Sequence, residues 1–143
     1  MIKYTYNYRK AVIAMKIQES AENYLETILI LNKQNGFVRS IDIAHELNFS
    51  KASVSVAMKS LRESGYVAVD ADGGITLTDS GLEIANMMYE RHELIAEVLI
   101  SLGVSKETAY DDSCKIEHVI STETFEKIKE YIEGLRADSS EKH

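Results

Sequence analysis

The apolar residues of this 143-residue chain keep a three- and four-residue spacing almost throughout, change once to a spacing of two between Gly65 and Asp79, and then return to the helical period. Such a pattern admits a mainly α-helical fold interrupted by one small β-hairpin. The first helix is expected from Ser20, a possible cap, with Ala21, Tyr24, Leu25, Ile28 and Leu29 on one face and Gly36 as its stop. Two shorter helices follow, Ser40 to Leu47 and Ser50 to Ser64, each opening with a serine able to accept a hydrogen bond from the first-turn amides, with a tight turn at Asn48-Phe49 between them. In the second of these Val54, Met58 and Leu61 make an inward stripe, and Gly65 is placed to end it. Tyr66 to Asp70 and Gly74 to Thr78, joined through Asp72-Gly73, read as the hairpin. The period then predicts a long helix from Asp79 to Leu102, with Ile84, Met87, Met88, Leu94, Ile95, Val98 and Leu99 inward and Gly103 as its stop. Two further helices are expected, Ser105 to Ile120 and Ser121 to Arg136, the last with a stripe of Phe125, Ile128, Ile132 and Leu135. The absence of proline suits these long helical stretches.

This divides the chain into a basic extension over 1–19, a winged helix-turn-helix over 20–78, a helical region over 79–136 and a tail over 137–143 expected to be disordered. The extension carries Lys3, Arg9, Lys10 and Lys16 against Glu19, with Tyr4, Tyr6 and Tyr8. It reads either as an arm that touches phosphates or as residues ahead of a natural start at Met15. No run of about eighteen uncharged apolar residues and no secretory leader pattern is present, so a cytoplasmic protein with no membrane partner is expected. Sixteen basic against twenty-three acidic residues give a net charge of −7. That excludes a protein that coats nucleic acid nonspecifically and leaves any DNA contact to local patches. The single cysteine, Cys114, has no internal disulfide partner and is a buried small hydrophobe, a reactive thiol or a metal ligand.

Three helices followed by a hairpin are the winged helix-turn-helix order, in which the second helix of the pair enters the major groove and the hairpin lies along the backbone. With Val54, Met58 and Leu61 inward, that helix turns Ala52, Ser55, Val56 and Lys59 outward, flanked by Ser50, Lys51, Ser53 and Arg62. Lysine and arginine neutralise phosphates, small hydroxyls approach the backbone closely, and Ala52 or Val56 can meet a thymine methyl group. Arg39, ahead of the pair, is a further phosphate candidate or a solvated surface arginine. A winged helix that binds protein instead would expose larger apolar anchors than this small, polar face offers.

In the helix expected from Ser105, Cys114, Glu117 and His118 stand at i, i+3 and i+4, placing a thiol, a carboxylate and an imidazole on one side. Mixed sulfur, nitrogen and oxygen donors suit a first-row transition ion better than calcium or magnesium. A semi-buried cysteine beside an ordinary charged helix surface is the plain alternative. His92 lies between Met88 and Ile95 on the apolar stripe of the long helix, where it is a core histidine or a ligand, and Asn23 and Glu26 stand one turn apart on the first helix.

These segments together resemble the family of metal-dependent repressors that includes the diphtheria toxin repressor and the manganese transport regulator. The residues carrying the resemblance are Ala21 to Ile28, Ile43 to Leu47 with Ser53-Val54-Ser55, Leu77 to Gly81, Arg91 to Leu94, and Ile116 to Ser121. The resemblance spans about Ser20 to Leu135. It implies Asn23, Glu26, His92, Cys114, Glu117 and His118 as metal ligands and a dimerisation domain from Asp79 onward. It also implies a repressor of iron or manganese homeostasis that binds double-stranded operator DNA as a homodimer, with no small-molecule substrate and no catalysis. The short architecture matches the manganese-type branch, as does Glu26. Cys114 matches the iron branch, and Ala96 stands where members often have an acid, which implies one well-formed site. An amide at Asn23 and a thiol at Cys114 soften the site, leaving Fe(II) or Mn(II) as the expected ion, with cobalt, nickel or zinc possible in vitro. A bound ion would then fix the dimer in a DNA-competent geometry. The competing readings are a winged-helix repressor that senses something other than a metal and a protein-interaction module. An enzyme is more distant, since no separate base, oxyanion donors or substrate cleft can be named.

Overall fold

A computed structural model of the chain describes residues 2–141, with side chains from Gln18 onward. The elements run α1 (Ile2–Asn35), α2 (Ser40–Leu47), α3 (Lys51–Glu63), β1 (Val67–Val69), β2 (Ile75–Leu77), α4 (Asp79–Ser101), α5 (Lys106–Ile116) and α6 (Thr122–Glu141). Two compact units divide within α4, residues 1–86 and 87–143.

In the first unit Leu25 and Ile28 of α1, Ile43 of α2, Val54 and Met58 of α3, and Val67 and Ile75 of the hairpin are all buried. Each such side chain contributes about 1.5–3 kcal/mol when withdrawn from water. The inward stripe expected on α3 is therefore the observed one. Ser50 caps α3 by accepting from the Ser53 amide at 3.1 Å. At the other end Gly65, with φ +81°, lets the chain turn so that the Tyr66 amide reaches the Leu61 carbonyl at 2.9 Å.

The hairpin is antiparallel, with Val67 opposite Leu77, Ala68 opposite Thr76 and Val69 opposite Ile75. Asp70 shapes its turn, its Oδ1 accepting from the amides of Asp72 at 2.9 Å and Gly74 at 2.8 Å. The Ile75 amide donates to the Val38 carbonyl at 2.7 Å, tying the wing to the segment between α1 and α2. Where α4 begins, Thr78 Oγ1 donates to the Gly65 carbonyl at 2.6 Å and its amide to the Tyr66 carbonyl at 3.1 Å. Gly81 passes so close to the residue ahead of β1 that a Cβ there would sit 2.0 Å from the Tyr66 carbonyl oxygen.

In the second unit Leu94 of α4 and Phe125 and Ile132 of α6 form the core, with Val98 and Ile120 packed against it. Ala109 and Ser113 turn the buried side of α5 inward.

Several expectations are corrected. α1 does not begin at Ser20 but runs on from Ile2, since no glycine or proline interrupts 2–35. The side chains of residues 1–17, on which the phosphate-arm reading rests, lie outside the described ones. Ser40 does not cap α2: the cap position is Arg39, whose amide donates to Asp42 Oδ2 at 2.8 Å. α5 ends at Ile116, so residues 117–120 form a turn rather than a last helical turn. Met87 and Leu135 are exposed, because the buried stripes centre on Met88 and Ile95 of α4 and on Phe125 and Ile132 of α6. The tail expected to be disordered continues α6 as far as Glu141, as a segment without a helix stop can.

Candidate metal centre and nucleic-acid face

The second unit brings together His92 from α4, Cys114 from the last turn of α5, and Glu117 and His118 from the turn that follows. Glu117 is fully buried at 0% exposure. Its Oε2 lies 3.2 Å from His92 Nδ1 and its Oε1 lies 3.2 Å from His118 Nε2, so the carboxylate stands between two imidazoles. Cys114 Sγ is 3.4 Å from His92 Nδ1, and its side chain opens to solvent. Ligand atoms of His92, Cys114 and Glu117 all lie within 4.8 Å of one another.

Helix ends explain this placement. Ser105 caps α5 by accepting from the Thr108 amide at 3.4 Å, which fixes the face on which Cys114 emerges two turns later. Ser121 caps α6 in the same way, accepting from the Thr124 amide at 3.1 Å, so the turn carrying Glu117 and His118 is held from both sides.

A buried carboxylate is costly unless a cation compensates it. In the metal-free chain a proton on His92 contributes to that compensation, the His92 pKa being pushed up from 6.5 to about 10, first by its hydrogen bond with Cys114 and then by that with Glu117, against the opposing effect of burial. Two imidazoles, a carboxylate and a thiol around a site that already retains one positive charge fit a divalent transition ion. Ala96, where the resembled family often carries an acid, is completely buried and offers no donor.

Asn23 and Glu26 belong to the other unit, one turn apart on α1. Glu26 is buried and Asn23 half-buried, with the Asn23 carbonyl accepting from Thr27 Oγ1 at 2.8 Å. Sequence reasoning missed Ser113, fully buried with Oγ 3.1 Å from His92 Nδ1, and Arg91, buried and next to His92 in the chain. Ser113 gave a usable signal: it precedes Cys114 on the helix and falls on the same buried face as Ala109, one turn earlier.

In the first unit Ser50, Lys51, Ala52, Ser53, Ser55, Val56, Lys59 and Arg62 are all exposed along one side of α3, opposite its buried stripe. Val56 is 71% exposed, a compact apolar group left bare among hydroxyls and cations. Arg39 is exposed too, its guanidinium 5.1 Å from the Phe37 ring centroid, which limits its rotamers without using up its donors. The wing carries Asp70 and Asp72 near its tip and no basic residue.

Residues 16–75 match the N-terminal DNA binding domain of the iron dependent repressors, and residues 78–142 match the metal binding and dimerisation domain of the same proteins. The chain belongs to the iron-dependent repressor family. An uncharacterised HTH-type transcriptional regulator of Methanocaldococcus jannaschii is 34% identical over 122 residues, covering 84% of this chain and 98% of that protein. The HTH-type transcriptional regulator MntR of Geobacillus kaustophilus is 33% identical over 119 residues, covering 83% of this chain and 84% of MntR. Among solved structures, a manganese-dependent transcriptional repressor in complex with manganese superposes with a TM-score of 0.70 at 29% identity, over 78% of this chain and 51% of the other. This chain thus spans about half the length of that repressor.

As a member of this family the protein is a metal-dependent, dimeric, DNA-binding transcriptional regulator rather than an enzyme. Among the described residues no helix is long and apolar enough to cross a membrane.

Proposed function

We propose that this regulator is a cytoplasmic repressor of iron or manganese homeostasis, with Fe(II) or Mn(II) as its co-repressor. His92, Cys114, Glu117 and His118 would hold the ion, with Asn23 and Glu26 of α1 as the ligands contributed by the DNA-reading unit. The observation that carries this reading is Glu117, a fully buried carboxylate flanked by two imidazole nitrogens at 3.2 Å. A bound ion supplies the positive charge that this anionic set otherwise takes from a proton. Cys114 and Asn23 stand where carboxylates would make a harder site, and a thiol with an amide favours iron, cobalt, nickel or zinc over manganese.

Lys51, Lys59, Arg62 and Arg39 would neutralise phosphates, while Ala52, Ser53, Ser55 and Val56 meet base edges and Ser50 fixes the helix start. In a symmetric dimer the two α3 helices must enter successive major grooves about 34 Å apart. Leu102, Val119 and Tyr131, exposed in the second unit, offer apolar surface to the twin chain. Ligands drawn from both units would restrict the hinge between reader and dimer, so that ion and operator favour each other's binding. Equilibrium dialysis against Fe(II), Mn(II) and Co(II) tests the site: one tightly held ion per chain is expected, and no retained ion contradicts the reading.

A further inference from the structure

We propose that Arg91 is a positioning residue for the metal centre, its buried guanidinium clamping the turn that presents Glu117 and His118 opposite His92. The proposal rests on the metal reading above and adds a residue to it. The end of α5 leaves carbonyls with no helical donor, a cost that some other group must meet. Arg91 Nη1 donates to the Glu117 carbonyl at 3.2 Å and to the Ile120 carbonyl at 3.5 Å, and Nη2 donates to Thr122 Oγ1 at 3.4 Å. The guanidinium also stacks 5.2 Å from the Phe125 ring centroid, and the residue is only 7% exposed.

One side chain on α4 therefore holds the end of α5, the intervening turn and the start of α6. Its neighbour on the same helix is the ligand His92, so the clamp sets the distance between His92 and the Glu117–His118 pair. Among the described residues its polar partners are backbone carbonyls and a hydroxyl rather than a carboxylate. It thus holds the backbone of the turn directly. A planar, forked donor is what spanning two carbonyls and a hydroxyl requires, and a lysine ammonium cannot reproduce it.

The test loads the full chain with Co(II), whose visible absorption reports coordination geometry and thiolate bonding. Arg91→Met is expected to weaken Co(II) binding about ten- to a hundredfold, as loss of an outer partner of metal ligands does. It should also alter the band shape at saturation while the far-ultraviolet dichroism stays that of the parent. In the metal-free protein, amide exchange should accelerate at residues 117–122, and Arg91→Lys should fall between Met and the parent in every readout. A merely structural role would lower the melting temperature and leave the saturated cobalt spectrum unchanged. That outcome in Arg91→Met, or in Arg91→Lys should the Met variant not fold, overturns the proposal. Absence of cobalt bands in the parent protein overturns the metal reading together with this proposal, whereas identical affinity and bands in parent and variants overturn this proposal alone.

Discussion

Lys51, Ser55, Lys59 and Arg62 stand in solvent on α3, each replaceable without disturbing the stripe beneath, whereas Glu117 is sealed from solvent with an imidazole against each of its oxygens. The proposed reading face costs folding almost nothing, since its polar groups stay hydrated in the folded chain. The proposed metal centre instead withdraws a carboxylate from water and depends on neighbouring groups to make that tolerable. Substitutions on α3 should therefore change binding and spare stability. Substitutions in the centre should change whether the protein responds to metal at all.

The largest effect is expected at the sealed carboxylate. Glu117→Ala should abolish metal-stimulated operator binding and leave the metal-free affinity where it was, measured by fluorescence anisotropy. A variant that still responded to metal would break the contrast between the two regions.

Next in size is pH. An ion held by His92, as proposed, must displace the proton that Cys114 and Glu117 keep there up to about pH 10. Below that, metal affinity should fall at least about tenfold per pH unit, since the His92 proton and any proton on the Cys114 thiol must leave. The metal-free protein should show the opposite trend. Because the folded-state pKa of His92 lies above its unfolded value of 6.5, its stabilising contribution is fully present below about 6.5 and is lost as pH rises through about 10. Melting curves from pH 6 to pH 10, with and without metal, should cross over in this sense. Parallel curves would remove His92 from the centre.

Gly81→Ala sharpens the comparison from the other side. The new Cβ would meet the Tyr66 carbonyl at 2.0 Å, so the wing or α4 must shift. A loss of about 1–3 kcal/mol in stability is expected by chemical denaturation, with the cobalt spectrum of the second unit unchanged. A disturbed spectrum would show that strain in the first unit reaches the ligands.

The smallest effect is expected on the open face. Lys59→Ala should weaken binding a few-fold to all sequences alike and reduce the slope of log affinity against log salt by about one. Unfolding should be unaffected, and an unchanged slope would strike Lys59 from the phosphate contacts.

The order of elements, the hairpin and the inward face of α3 were legible in the sequence, the last because period, cap and glycine stop agree there, as at Ser50, Val54, Met58 and Gly65. Ser40 misled because a serine at a helix start resembles a cap even when the preceding amide is taken by Asp42. The end of α5 was illegible for a different reason: Ile116 to Ile120 continue a helical pattern, and the carbonyls of this turn are captured by Arg91, a residue 26 positions away from Glu117. Leu135 and Met87 have the right composition but miss the centre of their stripes, which only packing decides. Within the centre, Cys114, Glu117 and His118 could be proposed from spacing and donor chemistry, whereas His92 on its apolar stripe read as a core histidine or a ligand until the family resemblance was added. Asn23 and Glu26 rested on family resemblance, since two polar residues one turn apart on a helix edge carry no signal of their own.

The central claim is that the buried centre governs the open face, and operator affinity measured with chelator and then with Fe(II) or Mn(II) tests it most directly. On a promoter fragment from its own or a neighbouring transporter gene, the ion should tighten binding about 5- to 150-fold. Equal affinity in both conditions would contradict the account.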